Sequence, residues 1–456
     1  MSDLSLAVAP GPFVPPVPAP PEGELPFFAL LRAFRTNVLA TWPRSAYEEP
    51  AQLRHFLGRR SLLVNEPEAI RHVLVEGQER YGRTPATIRL LRPLIGDGLV
   101  LSEGPAWRHQ RRTLAPAFAP RAVALLVPHM RAATAEALDR LEAQADRPAA
   151  DLLTFAQHLA LEIAGRTMFS LGMRRYRASL RDRLLRYGAS SGLRLLDLMM
   201  PPDVVTPRDV LRRHHGRRWM ALVSRIIAAR RRERSPEGPP RDLLDLILAA
   251  RDPDTGRGFT AEEVEDQVAT MILAGHETTA LALFWSLVLL AQAPGWQDLL
   301  AEEARAAGPE AGAERLPLAR AVVDEALRLY PPAFAIVRLA READVVAGHR
   351  LRPGDAVVVA PWVLHRHRRL WAAPDAFDPR RFLAPAPPPD RFAYLPFGAG
   401  PRVCIGAHFA LTEAVLVLAA TLRRFRLELV PGRPVLPVAV ATTVPDHRPA
   451  FRLRRR

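Results

Sequence analysis

The residues best placed for chemistry are Phe397-Gly398-Ala399-Gly400-Pro401-Arg402-Val403-Cys404-Ile405-Gly406, a glycine-rich turn closing on the only cysteine of the chain. A thiolate in such a turn can ligate a metal, and its neighbours each have a task if that metal is haem iron. The ligand must be deprotonated and shielded, with hydrogen bonds that tune its electron donation. Glycine lets backbone N–H groups approach the sulfur with no Cβ in the way. A helix starting at the cysteine adds its N-terminal dipole in favour of the thiolate. Arg402 is placed to pair with a haem propionate, Gly406 lets the helix lie close to the porphyrin, and Phe397 can cover the sulfur. A lone cysteine excludes an intrachain disulfide, a cysteine-ligated zinc and an iron–sulfur cluster.

Two further constellations precede it. In Ala274-Gly275-His276-Glu277-Thr278-Thr279, Gly275 weakens a helix and a following threonine can bond a backbone carbonyl and widen the turn. An alcohol at Thr278 could hold a bound oxygen by hydrogen bonding while Glu277 relays protons inward; read alone, the segment is a polar helix face. In Glu325-Ala326-Leu327-Arg328 the two charges lie three apart on one helical face and can pair, which in isolation reads as a solvated surface bridge.

The cysteine segment matches the haem-binding signature of cytochromes P450 at every fixed position. The chain resembles that family from about residue 25 onward, its motifs in family order. The resemblance implies haem b (iron protoporphyrin IX) as cofactor, with Cys404 as iron ligand and Phe397, Gly398, Arg402 and Gly406 around it. It implies that Glu277 and Thr278 are the acid–alcohol pair of oxygen activation. Trp107 and Arg111, at i and i+4, would reach one propionate, and Arg338 another. Glu325 and Arg328 would lock onto Arg381 in Phe377-Asp378-Pro379-Arg380-Arg381-Phe382, a structural triad supporting the thiolate loop. Arg380 departs from the acidic residue usual there. Substrate contacts would come from Ile88, Leu91, Ile95, Ala274, Ala335 and Ile336, apolar residues that would serve equally well as core.

The expected fold is mainly α with small β-sheets. It is the cytochrome P450 fold, a triangular single domain with haem buried between a long central helix and the cysteine-loop helix. Residues 1–25 read as a flexible proline-rich arm and 26–456 as the haem domain. The expected activity is monooxygenation: one atom of dioxygen enters a hydrophobic small-molecule substrate, by hydroxylation or epoxidation. With no flavin or iron–sulfur module expected, electrons come from a separate donor, an acidic ferredoxin or flavodoxin with its reductase. Arg108 and Arg112 are candidates for its docking face. The alternatives are a peroxide-driven peroxygenase or isomerase on the same fold, and a non-enzymatic haem-thiolate sensor or carrier. An acid–alcohol pair argues against both.

The elements that must position these residues follow from periodicity. Helices are expected over Ala122 to Ala143 and Leu152 to Phe169. Thr260-Ala261-Glu262-Glu263 is a capping box opening a helix to about Ala293, roughly 50 Å long. Another helix, Leu316 to Leu329, stops at Tyr330-Pro331-Pro332. β-like segments follow at Phe334 to Leu339, Asp344 to Ala347 and Asp355 to Ala360, then proline-rich coil from Ala373 to Pro389. A last helix starts just after Cys404 and ends near Arg424. The most apolar stretch, Val268 to Ala293, carries Glu277 near its middle, and a central carboxylate costs roughly 2.5–3.5 kcal/mol on insertion into a membrane. A buried helix is therefore expected rather than a membrane span, and the protein is read as a soluble, cytoplasmic, bacterial monomer. All 63 basic residues are arginine and the net charge is +15. The arginines are spread along the chain with no nucleic-acid motif, so no nucleic-acid partner is expected.

Overall fold

In the computed structural model, the residues described are 11–56, 58–143, 149–170, 172–173, 176, 178–180, 182–183, 186–187, 204–232 and 240–456. Helix α1 (Phe27–Thr36) precedes a hairpin of β1 (Ala51–Phe56) and β2 (Arg59–Val64). The helical stretch then comprises α2 (Pro85–Ile95), α3 (Gly104–Leu114), α4 (Pro120–Glu142), α5 (Leu152–Phe169), α6 (Pro207–Arg232), α7 (Ala261–Gln292), α8 (Pro294–Ala307) and α9 (Pro317–Leu329). Strands β3 (Ile336–Ala340) and β4 (Ala356–Val359) flank a short hairpin, Asp344–Val346 with His349–Leu351. Helix α10 (Ala407–Arg424), β5 (Phe425–Leu429) and β6 (Phe451–Arg455) end the chain.

Local chemistry sets the boundaries. The capping box opening α7 is formed: Thr260 N–H donates to Glu263 Oε2 at 2.8 Å, and Glu263 N–H donates to Thr260 Oγ1 at 3.2 Å. Proline occupies the first position of α2, α8 and α9, where its missing N–H costs nothing. The last helix begins later than the sequence suggests. Pro401 favours a 3₁₀ turn, Gly400–Arg402, and regular α-helix starts only at Ala407, with Gly406 as its N-cap. The proline-rich coil contains one 3₁₀ turn, Pro379–Phe382, capped by the Asp378 side chain.

The chain divides into two compact units. The first holds Met1–Gln78, Thr134–Gln157 and Thr278–Arg456. Its strands run β1-β2-β4-β3, with β2 and β4 parallel and the other pairs antiparallel. Strands β5 and β6 pair antiparallel, Leu427 opposite Leu453. The core is aromatic: Trp285 of α7 stacks on Tyr330 with ring centroids 4.1 Å apart, and its indole N–H donates to the Thr443 carbonyl at 2.9 Å. The described part of the arm is docked rather than loose. Phe377 N–H donates to the Phe13 carbonyl at 2.8 Å, the two rings meet edge-on, and Arg44 N–H donates to the Pro21 carbonyl at 2.9 Å. Residues 1–10 lie outside the described residues.

The second unit holds Glu79–Ala133 and His158–Glu277, and its described residues are mainly helical. Its α2 lies against α6: Trp219 donates from Nε1 to the Leu94 carbonyl at 2.8 Å, and a Cβ on Gly216 would fall 2.3 Å from the Pro93 carbonyl oxygen. Helix α7 is long and apolar enough to cross a membrane, yet 67% of its most apolar window is buried, as in a core helix.

Candidate active site

The cysteine loop is held by its own backbone. Cys404 N–H donates to the Phe397 carbonyl at 2.9 Å, and Val403 N–H to the Gly400 carbonyl at 3.0 Å. Gly398 and Gly400 both take φ +72°, which favours glycine. Gly400 is doubly constrained, because a Cβ there would meet the Leu74 carbonyl oxygen at 2.1 Å. The result is an exposed thiol three residues before the first turn of α10, with Arg402 half-buried at the end of the 3₁₀ turn. A Cβ on Gly398 would lie 3.7 Å from Ile336 Cδ1, so Ile336 of β3 faces this loop. Side chains two apart share a strand face, which puts Arg338 on the same side as Ile336.

Behind the loop, Glu325 and Arg328 of α9 form no surface bridge: both side chains are 0% exposed. Arg328 donates from Nε to Glu325 Oε2 at 2.6 Å and from Nη2 to Oε1 at 2.8 Å. Its remaining N–H groups reach the carbonyls of His365, Pro374 and Ala376 at 2.6–2.8 Å. Arg381 joins with its Nε 3.4 Å from Glu325 Oε1, and Asp378 N–H donates to the same oxygen at 2.8 Å. Arg380, in place of an acid, is turned onto Asp378 at 2.7 Å and takes no part. One guanidinium thus fixes three carbonyls of an otherwise irregular segment, which is how α9 positions the chain leading to the cysteine.

His365 was not singled out from the sequence. Its Nε2 accepts the Leu395 N–H at 2.8 Å, so the proton is on Nδ1, which donates to the Arg328 carbonyl at 3.2 Å. Burial, with Arg328 nearby, pulls its pKa down to about 3, so the ring is neutral. It ties α9 to the start of the loop. A histidine between apolar Leu364 and charged Arg366 gives no sequence signal of that role.

Midway along α7 the helix is continuous and α-helical. Ala274 and Gly275 are exposed and Glu277 and Thr278 half-buried, between buried Ile272 and a buried run from Thr279 to Leu290. Ala274 and Thr278, four apart, share a face. Beyond its chain neighbours and its own helix backbone, no atom of the described residues lies within 4 Å of where a Cβ on Gly275 would sit.

In the second unit, Trp107 is buried and Arg111 half-buried on one face of α3. Arg108 and Arg112 of that helix sit in ion pairs. Arg112 contacts Asp252 at 3.0 Å and Asp254 at 2.7 Å, and Arg108 contacts Glu79 at 3.1 Å. Burial would raise the Asp252 carboxyl, but the Asp254 N–H, Arg112 and His109 hold it well below the usual carboxylate range. Arg112 is therefore a structural cation and not a surface charge awaiting a partner. On α2, Ile88 and Leu91 are half-buried, whereas Ile95 is 1% exposed and belongs to the core. In the first unit Ala335 and Ile336 are half-buried.

The donor set fits haem. Among the described residues no cluster of three His, Cys, Asp or Glu could hold a bare metal ion. A single exposed thiol suffices where a macrocycle supplies the other ligands. A family model for cytochrome P450 matches residues 18–447. Cyclooctatin synthase of Streptomyces melanosporofaciens is 34% identical over 435 residues, 91% of either chain. Cyclooctat-9-en-7-ol 5-monooxygenase of the same organism is 32% identical over 82% of this chain and 81% of its own. The crystal structure of the cytochrome P450DA heme domain superimposes with a TM-score of 0.79 at 26% identity, covering 97% of this chain and 98% of that one.

Proposed function

We propose, from the premise that this chain belongs to the cytochrome P450 family, that Cys404 is the thiolate ligand of its haem and that it oxygenates an apolar small molecule. Family membership makes it a haem-containing monooxygenase of mainly α fold. The observation carrying the assignment of Cys404 is the exposed sulfur at the end of a turn that only glycine can make against the Leu74 carbonyl. Haem supplies the iron at which dioxygen is reduced and split, and a thiolate ligand pushes electron density in favour of that cleavage.

The protein's part is to position and to move protons. Backbone N–H groups around the sulfur, other than those of Gly398, Val403 and Cys404 that donate to carbonyls, stabilise the thiolate form of Cys404. Arg402, Arg338, Arg111 and Trp107 anchor the propionates. The Thr278 hydroxyl holds a proton at its Oγ1, and the Glu277 carboxylate resupplies it from solvent. The substrate packs on half-buried Ile88, Leu91, Ala335 and Ile336 and on exposed Ala274, while Ile95 belongs to the core of the second unit. The relative named cyclooctat-9-en-7-ol 5-monooxygenase acts, by that name, on an unsaturated alcohol. An apolar skeleton carrying few polar groups suits the lining here.

Electrons come from a separate acidic donor, ferredoxin or flavodoxin, drawn by the +15 net charge. Arg108, whose bridge to Glu79 is exposed on both sides, is the docking candidate, and Arg108→Glu should weaken the salt dependence of donor-driven turnover. The deciding experiment is the carbon monoxide difference spectrum of the reduced protein. Wild type should show the strongly red-shifted band of thiolate ligation and Cys404→Ser should lose it; a wild-type band of the histidine-ligated kind would overturn the assignment. Thr278→Ala should keep the band but uncouple oxygen consumption from product by roughly 10-fold or more.

A further inference from the structure

We infer that a second site in the first unit, a cavity of about 270 Å³ between the docked arm and the Pro361–Leu364 turn, binds a small oxyanion, phosphate or carboxylate. Its walls include Arg44, Tyr47, Trp362, Arg366 and Arg368, none of which belongs to the haem machinery proposed above. Val17, Pro18 and Pro20 of the arm close one side.

The argument turns on Arg366. It is 2% exposed, and its guanidinium lies flat on the Trp362 ring, 3.7 Å from the centroid. Among the described residues the guanidinium makes one hydrogen bond, a long one from Nη1 to the Trp362 carbonyl at 3.4 Å. Nε and Nη2, the two N–H groups that form a fork for an oxyanion, have no partner among the described residues. No carboxylate forms an ion pair with it there, whereas Arg328, buried to the same degree, has Glu325. Two phenols adjoin it, but burial pushes the Tyr47 hydroxyl up to about 12 and that of Tyr330 higher still, so neither supplies a negative charge. Burial also pulls Arg366 down to about 10, which leaves it cationic at neutral pH.

A buried cation with no directly paired carboxylate is costly. Stacking on tryptophan offsets part of that cost, and water could meet the two N–H groups, but only an anion meets the charge. The cavity is far roomier than one water requires. Arg368 and Arg44 stand at the exposed end. Arg368 is held at 2.5 Å by Asp375, and Arg44 lies 3.4 Å from Glu22; Asp375 also acts on Arg366 through space, but forms no ion pair with it, so the Nε–Nη2 fork of Arg366 is the part left unmet. Glu48 also lines the wall, and its charge repels anions placed near it.

The test titrates the holoprotein with sodium phosphate, and separately with sodium acetate, at ionic strength held constant with sodium chloride. Binding is followed by calorimetry and by the thermal midpoint. Saturable heat with a raised midpoint, lost in Arg366→Gln and weakened at least threefold in Arg368→Gln, is the expected result. The half-exposed Arg368 variant keeps the test decisive should Arg366→Gln fail to fold. Phosphate alone binding identifies a phosphate site, and acetate binding extends it to carboxylates. A response to both salts no different from chloride, or binding unchanged in both variants, overturns the inference and leaves a hydrated cavity.

Discussion

The support of the cysteine loop in the first unit and the mount of α2 in the second are built on different principles. The first is a buried charge network in which each N–H group of Arg328 has a named acceptor. Arg328 alone makes five hydrogen bonds, two to a carboxylate and three to backbone carbonyls. The second rests on shape. One indole N–H, one glycine against a proline carbonyl and a looser Arg89–Asp209 contact of 3.7 Å hold α2 to α6. Beyond it, the turn after α2 is hung on α7 by Asp97 N–H to Asp266 at 2.9 Å and Leu99 N–H to Gln267 at 3.1 Å. A charge network tolerates few residue types, whereas a shape-based mount tolerates many. The region holding the cofactor ligand is thus fixed in chemistry, and the region proposed to meet substrate is free to diverge.

Acid should act on the two regions in opposite directions. His365 is neutral when folded, so its contribution to stability is full above pH 6.5 and is lost as pH falls toward about 3. Asp266 is the reverse. Burial, with Asp97, Glu262 and Glu265 adding to it, raises its carboxyl to about 6, so the stability it gives is present below 3.8 and lost as pH rises to about 6.

The largest expected effect would break the contrast at its root. Glu325→Ala leaves Arg328 as a buried, uncompensated cation and should cost about 3–5 kcal/mol, read as a lowered thermal midpoint and poor haem retention. A midpoint within a degree or two of wild type would mean that the network is not what holds this region. Acid comes next: wild type should lose up to about 1.4 kcal/mol per pH unit below 6.5 through His365, a slope that His365→Gln removes. Trp219→Phe deletes one hydrogen bond to Leu94, worth about 1 kcal/mol, and should weaken substrate binding several-fold while leaving the carbon monoxide spectrum unchanged. An altered spectrum would mean that the α2 mount also shapes the haem site. The smallest effect belongs to Asp266→Asn, which should flatten the stability profile between pH 4 and 6 without altering it above pH 7 by more than a constant.

The same contrast explains what could be read from the sequence. The capping box of α7 and the stop of α9 at Tyr330 were legible because each needs particular residues at fixed spacing, whereas the Glu325–Arg328–Arg381 grouping came only with the family resemblance, since spacing alone reads as a surface bridge. The start of α10 was misplaced by three residues, because the tight turn through Pro401 outweighs the pull of a helix toward the sulfur. The arm reads as loose from composition alone, since proline content says nothing of the Phe13 ring meeting Phe377. Arg112 looked like a surface charge because Asp252 is 140 residues away along the chain. His365 was invisible for a related reason: its partners are a carbonyl and an amide, and backbone groups leave no mark in a sequence.

That imidazole has a use in the laboratory. Acylating reagents attack an unprotonated ring nitrogen, and in His365 that nitrogen is capped by the Leu395 N–H in a fully buried setting. Labelling there must wait for the chain to open. The rate at which His365 is modified, set beside exposed imidazoles such as His55, would time the rare openings of the cysteine scaffold under native conditions.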